Sequence, residues 1–312
     1  MSKRNYPLLI LRGCAMGAAD VVPGVSGGTI AFITGIYEEL IDSIKAVDLQ
    51  AVKLLLKFKL AEFWKKINGN FLISVIAGIG ISIFSLAKLM TWLLENHPIY
   101  IWSFFFGLII ASSVLVAKEI KKRNIFTVIS LILGAVIAYG ITVMTPSETP
   151  DSWWFIILSG AIAICAMILP GISGAFILLL MGKYTYILGA VSAFNIGVLL
   201  LFAVGAVAGI TSFSHLLSWL LKHHHTATVS LLTGFMVGSL NKVWPWKETL
   251  QTYTDSHGVE KALVESNISP VHFGELTGSD PLLWQAILMC IAGFLLIWGI
   301  ETLGRKMSDK RA

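Results

Sequence analysis

Charge is scarce in this chain of 312 residues: Asp, Glu, Lys and Arg together make up 13% of it, about half their share in an ordinary soluble domain. With hydrophobic residues at 56%, that scarcity excludes a water-soluble globule with a solvated charged surface. Cysteine is also rare. Cys14, Cys165 and Cys290 all lie inside apolar segments, where they pack as small hydrophobes, so neither a disulfide framework nor a metal centre is expected. No cofactor is expected either. The net charge of +5 sits in short segments beside apolar runs, which is how orientation signals are distributed, and nucleic-acid binding is not expected. The run His223 to His225 looks like a metal tract in isolation, but it falls in a short loop beside Lys222 and is read as structural.

Long apolar runs are what the chain does have. They extend from Phe71 to Leu93, Pro98 to Ala117, Ile125 to Met144, Phe194 to Phe213, Ala227 to Trp244 and Leu282 to Leu303. Each is long enough to cross roughly 30 Å of hydrocarbon, so six full spans are predicted. Two further stretches, Leu8 to Leu40 and Trp153 to Leu188, are interrupted near the middle by Pro and Gly; neither reads as a simple crossing. The start, SKRNYPLLILRG, imitates a signal peptide, but Arg12 breaks its apolar region and a related segment recurs internally. It is therefore expected to belong to the mature fold.

The chain resembles itself. ADVVPGVSGGTIAFITGIYEELI, from Ala19, aligns without gaps with AMILPGISGAFILLLMGKYTYIL, from Ala166, so that Pro23, Gly24, Ser26, Gly27, Gly35 and Tyr37 meet Pro170, Gly171, Ser173, Gly174, Gly182 and Tyr184. Weaker echoes follow in the same order: FGLIIAS, from Phe106, with TGFMVGS, from Thr233, and LGAVIAYG, from Leu133, with AGFLLIWG, from Ala292. Duplicated units of this kind are common in transporters. The fold class predicted is an all-α polytopic membrane protein of two inverted-topology repeats, each a re-entrant helical hairpin plus three transmembrane helices. Residues 1–150 form the first repeat (hairpin 8–40, amphipathic segment 42–66, spans 71–93, 98–117 and 125–144). Residues 151–312 form the second (hairpin 153–188, spans 194–213, 227–244 and 282–303). With both hairpins re-entrant, Lys3 and Arg4, Lys45 to Lys66, Lys118 to Arg123, Lys222 and Arg305 to Arg311 all fall on the cytoplasmic side with both termini, as the positive-inside rule requires. Two full spans per hairpin would leave that topology unchanged. The segment 42–66 reads either as an interfacial amphipathic helix on anionic lipid or as a solvated basic loop.

Backbone inside a membrane cannot leave N–H groups unpaired unless it lines a cavity or is covered by protein. PGVSGG and PGISGA meet that problem at matching positions. Proline ends the preceding helix, the glycines permit sharp turns, and Ser26 or Ser173 can cap the helix that follows. Free amides and a partial positive charge at such a helix start suit phosphate. The alternative is that Pro and Gly only kink packed helices. Candidate substrate-binding residues are Arg12, Pro23, Gly24, Ser26, Gly27, Gly28, Pro170, Gly171, Ser173 and Gly174. Arg12 and Asp20 are ionisable in hydrocarbon and need partners; about 12 Å of helical rise separates them, so they are not expected to pair with each other. Arg12 is read as a forked phosphate donor or as a snorkelling side chain. Asp20, which has Met167 as its counterpart, is read as a proton-coupling group or as a cap. Glu38, Lys88 and Lys183 are secondary candidates, with Glu38, Glu39 and Lys183 expected at the surface.

The motifs VVPGVSGGT and ILPGISGAF, the GIYEELI after the first, and the segment GSLNKVWPWKE resemble the PopT-type polyprenyl-phosphate transporter family over essentially the whole chain. The resemblance implies a flippase in the bacterial cytoplasmic membrane. Its partner would be a polyprenyl-phosphate lipid, undecaprenyl phosphate, returned from the outer to the cytoplasmic leaflet for peptidoglycan and surface-polymer synthesis, with the proton motive force as the expected drive. It leaves self-association into a homo-oligomer open. Beside a scaffold without transport, whose broken hairpins would be filled by protein and exclude water, two rival readings remain at this stage. One is a small-anion channel or carrier built on the same helix N-termini. The other is an intramembrane serine hydrolase suggested by Gly24-Val25-Ser26-Gly27, which would need a base beside the serine. An enzyme is not expected.

Overall fold

The computed structural model describes residues 5–20, 26–120, 124–147, 149–254 and 260–309. In chain order the elements are α1 (Tyr6–Asp20), α2 (Gly27–Ile33), α3 (Tyr37–Lys45), α4 (Leu49–Leu56), α5 (Leu60–Lys66), α6 (Gly69–Asn96), α7 (Pro98–Glu119), α8 (Ile125–Val143), α9 (Trp153–Ile168), α10 (Gly174–Leu180), α11 (Tyr184–Ser192), α12 (Ile196–His223), α13 (His225–Ser239), β1 (Lys247–Thr254), β2 (Glu260–Asn267), α14 (Pro270–Thr277) and α15 (Leu283–Asp309). The molecule is mostly helical, but β1 and β2 pair as an antiparallel hairpin, from Lys247 opposite Asn267 to Thr254 opposite Glu260, with an irregularity at Gln251. The expectation of an all-α chain is corrected here. The two strands carry polar residues on both faces, so they lack the alternating apolar pattern by which strands are recognised.

Among the described residues, Pro98–Lys118, Ile125–Val143 and Ile196–His223 are long and apolar enough to cross a membrane by themselves. Five crossings result if Leu60–Lys66 with Gly69–Ser85, bent by 71°, and Gly174–Leu180 with Tyr184–Val191, bent by 112°, each count as one. Six had been expected. The shortfall is clearest in α13, whose 15 residues rise only about 22 Å. The apolar run continues to Trp244 in sequence, but the helix stops at Ser239 before Asn241 and Lys242. Gly171 packs into the space beyond, against the Ser239 side chain and the Phe235 carbonyl.

Four helix pairs carry most of the packing: α1 with α6, α9 with α12, α7 with α15, and α8 with α13. Lipid offers no hydrophobic drive for helix association, so close backbone approach at small residues supplies it. At the α9–α12 crossing a side chain on Gly205 would collide with the Ile157 carbonyl, and one on Gly160 with the Phe202 carbonyl; at the α1–α6 crossing Gly13 and Gly78 meet Val75 and Ile10 in the same way. The segment between α3 and α6 folds as two short helices. Asp48 caps α4 by accepting from the Ala51 N–H at 2.8 Å and pairs with Lys66 at 2.9 Å. Leu49, Val52, Leu55, Leu56, Phe58, Leu60 and Trp64 are all exposed, so the helix pair presents a large apolar surface.

Replacing Gly205 by Val is expected to lower thermal stability in detergent by about 1–3 kcal/mol, the usual range for overpacking. Gly140→Ala, at a position with open space beside it, should leave the melting temperature unchanged. Equal behaviour of the two variants would contradict the packing described.

Candidate functional site at two helix breaks

The two interrupted segments meet. Helix α9 ends at Ile168, before Pro170 and Gly171, and its last carbonyls have no intrahelical donor. The first broken segment supplies the donors. Ser26 Oγ donates to the Met167 carbonyl at 2.9 Å, and Tyr37 Oη donates to the Ile168 carbonyl at 3.1 Å. In the other direction the Gly171 N–H donates to Thr29 Oγ1 at 2.9 Å. All of these groups are buried except Met167, whose side chain is exposed. Gly28 permits the approach, since a side chain there would strike the Ile168 carbonyl. Gly171 holds φ at +88°, a left-handed conformation that costs glycine nothing.

The start of α2 is closed from within the first segment. The Gly27 N–H donates to Asp20 Oδ1 at 2.6 Å, and the Gly28 N–H donates to Ser26 Oγ at 3.1 Å. The sequence had led us to expect open amides here. They are occupied, because a backbone amide in apolar surroundings must find an acceptor, and Asp20 and Ser26 supply it. A carboxylate therefore rests where an anion was expected. At the start of α10 the arrangement differs: Ser173 is the N-cap residue but makes no side-chain capping bond.

The candidate residues thus separate. Ser26, Gly27, Gly28, Asp20, Pro170, Gly171, Ser173 and Gly174 belong to the paired breaks, with Gly174 packed against the Ala163 carbonyl and the Met167 side chain. Pro23 and Gly24 lie outside the described residues, as does the side chain of Lys88 in α6. Arg12 is half-buried on α1, where Glu39 of α3 acts on it electrostatically. It forms no ion pair with Asp20, in keeping with their separation along the helix. Glu38 is exposed and pairs with His225 Nε2 at 3.0 Å, which ties the histidine tract to the first segment. Lys183 was expected at the surface and is instead buried, 1% exposed. Its ammonium donates to Asp151 Oδ1 at 2.5 Å and to the Thr149 carbonyl at 2.7 Å, over the rings of Phe155 and Tyr186. A buried cation needs such partners, and they leave it little capacity to collect an incoming anion.

Three residues at the breaks escaped the sequence reading. Thr29 and Ser239 lie inside the motifs VVPGVSGGT and GSLNKVWPWKE, but nothing in those motifs singles out their hydroxyls. Tyr37, the first residue of α3, was visible as the aligned partner of Tyr184 and within GIYEELI, but neither reveals its hydroxyl as a donor to the other segment. Tyr37→Phe removes the donor to Ile168 and strands a buried carbonyl, so stability in detergent should fall by about 1 kcal/mol. Adding Ser26→Ala should lower it again by a similar amount. Unfolding curves indistinguishable from the parent protein would contradict the bonding described.

Comparison with known proteins identifies the family. Residues 16–261 match the family model described as undecaprenyl phosphate translocase-like. The chain is 50% identical over 303 residues to a polyprenyl-phosphate transporter of Vibrio cholerae, covering 97% of this chain and 98% of that protein. It is 36% identical over 256 residues to a polyprenyl-phosphate transporter of Staphylococcus aureus, covering 76% of this chain and 85% of that protein. No solved structure matches it significantly. With a family model matched along most of its length and a relative half identical from end to end, the chain belongs to the undecaprenyl phosphate translocase-like family.

Proposed function

We propose that this membrane protein transports a polyprenyl phosphate, undecaprenyl phosphate, from the outer to the cytoplasmic leaflet of the bacterial cytoplasmic membrane, so that the carrier lipid is reused in peptidoglycan and surface-polymer synthesis. The family and the names of its two relatives support the substrate class. The observation that carries the mechanism is the Asp20 carboxylate seated on the Gly27 amide. Protonation of Asp20 weakens that bond and frees the amide; the phosphate takes its place beside Ser26 and Gly28. The isoprenoid tail stays in lipid, and Arg12 adds a forked donor on the cytoplasmic side. One proton thereby accompanies each exchange of anions, which couples transport to the proton motive force.

Two inverted repeats, residues 1–150 and 151–312 with both termini cytoplasmic, give the alternating access this needs. Element lengths support the repeat. Helices α2 and α10 have seven residues each, α3 and α11 nine, and α6 and α12 28. So does the packing: α1 pairs with α6 as α9 does with α12, while α7 and α13 each pair with the last helix of the other half. The Ser26 hydroxyl is bonded to a carbonyl and a backbone amide, and neither is a base, which favours transport over hydrolysis.

In liposomes carrying undecaprenyl phosphate labelled in one leaflet, the protein should move the lipid, and faster with a pH gradient. Asp20→Asn should cut gradient-driven transport by about tenfold or more, the factor given by about 1.4 kcal/mol of lost differential binding, while the variant remains folded. Full gradient-dependent transport by that variant would overturn the coupling role. Movement of inorganic phosphate without the lipid would favour an anion carrier instead.

A further inference from the structure

The β-hairpin covers a second group of charges that the mechanism above leaves unused. It is anchored at its base: Trp244 Nε1 donates to the Ile268 carbonyl at 2.9 Å and Trp246 Nε1 to the Pro281 carbonyl at 2.8 Å, and Trp246 packs with Ile99 and Ala286. Beneath it, Glu265 of β2 accepts from two lysines on a single oxygen, Oε2. Lys242 Nζ stands at 3.1 Å and Lys247 Nζ at 3.3 Å. The lysine side chains are 16% and 8% exposed, that of Glu265 24%. Aromatic rings flank the two ammonium groups. Lys247 Nζ lies 4.1 Å from the centroid of Trp102 on α7, and Lys242 Nζ lies 4.6 Å from that of Phe176 on α10. Phe176 follows Ser173 by less than a turn, and Lys242 follows Ser239, against which Gly171 packs. The cluster therefore adjoins the second break.

Its charge does not balance. Two ammonium groups share one carboxylate, and no other charged group acts on Lys247 or Glu265 among the described residues. Burial pushes Lys247 down to about 8 against the pull of Glu265. Burial alone would raise Glu265, yet the two ammoniums hold it below the usual carboxylate range. A single charge of −1 thus under-compensates the pair. A phosphomonoester, with about −1.5 to −2 and three acceptor oxygens, matches two ammoniums better, and lysines act on phosphate as point charges without needing forked geometry.

We infer that Lys242 and Lys247 form a phosphomonoester-binding site at the outer end of the second broken segment, held closed in this structure by Glu265. This rests on the transport reading for the side of the membrane it faces, and there it receives the headgroup before the central exchange. The incoming phosphate displaces Glu265 from both lysines and frees β2 from its anchor to Lys242.

The test uses the full chain in nanodiscs, with farnesyl phosphate, inorganic phosphate and farnesol as probes. Affinity is read by titration calorimetry, and opening of the hairpin by hydrogen exchange of residues 260–267. Farnesyl phosphate should speed exchange in 260–267, and farnesol should not. Lys247→Gln and Lys242→Gln should each weaken phosphate-dependent opening about tenfold while keeping the parent's melting temperature within a few degrees, and Glu265→Gln, which leaves two buried ammoniums without their counter-charge, should melt lower yet remain folded and tighten farnesyl phosphate binding by a similar factor. Opening by inorganic phosphate at equal concentration assigns the site to free phosphate, and opening by farnesyl phosphate alone assigns it to a lipid headgroup; either result upholds the phosphate chemistry. Opening that is unaltered in both lysine variants overturns the inference. Asp20→Asn should keep this opening intact, so loss of transport with intact opening, or the reverse, tells failure of one reading from failure of the other.

Discussion

A helix that stops in buried, apolar surroundings must have its end groups satisfied by the protein itself, and here each broken segment completes the other. The carbonyls of Met167 and Ile168 take hydroxyl protons from Ser26 and Tyr37, and the Gly171 amide gives its proton to Thr29. Remove those bonds and α9 ends in unpaired carbonyls, which lipid cannot solvate. The positions of α2, α3, α9 and α10, and with them every candidate site residue at the breaks, follow from this mutual capping. Side-chain hydrogen bonds in membranes average about 0.6 kcal/mol, so three of them hold the segments together with only about 2 kcal/mol. That is firm enough to specify one arrangement and weak enough to be exchanged for another.

The same logic places the carboxylates. Asp20 occupies the Gly27 amide and Glu265 occupies two lysines, so each of these two electropositive sites is filled by an acid of the same chain. On the proposed mechanism each acid is a placeholder that yields to phosphate. An empty electropositive site in apolar surroundings would be costly to maintain, and an internal acid lowers that cost at the expense of competing with the substrate. The α4–α5 pair in one series of elements, and the β-hairpin with α14 in the other, have no counterpart across the two series; the first carries exposed apolar residues and the hairpin lies over the lysine cluster.

Much of the fold could be read from residues alone. Pro170 and Gly171 within an apolar run interrupt any helix, because proline lacks the N–H and glycine supplies the turn; Pro23 and Gly24 announce the same. The positions matched by sequence, Ser26 with Ser173 and Tyr37 with Tyr184, begin helices of equal length in the structure, of seven and nine residues after each break. Acceptors were harder to see. The partner of the Gly27 amide lies seven residues back in the chain, and those of Met167 and Ile168 lie in the other half, so no local pattern reveals that the expected anion site is already filled. Lys183 misled for a related reason: a lysine after a glycine reads as a surface turn until Asp151 and Thr149 are folded over it. The strands β1 and β2 carry no alternation, and their role in covering Lys242 and Lys247 depends on the tryptophans at their base.

The central claim, that the two breaks close each other, is tested most directly by hydrogen exchange in lipid nanodiscs at the amides of residues 26–30 and 167–172. Mutual capping predicts exchange as slow as in the interior of α8, despite the prolines and glycines nearby. Exchange as fast as in the loop 145–152 would contradict it.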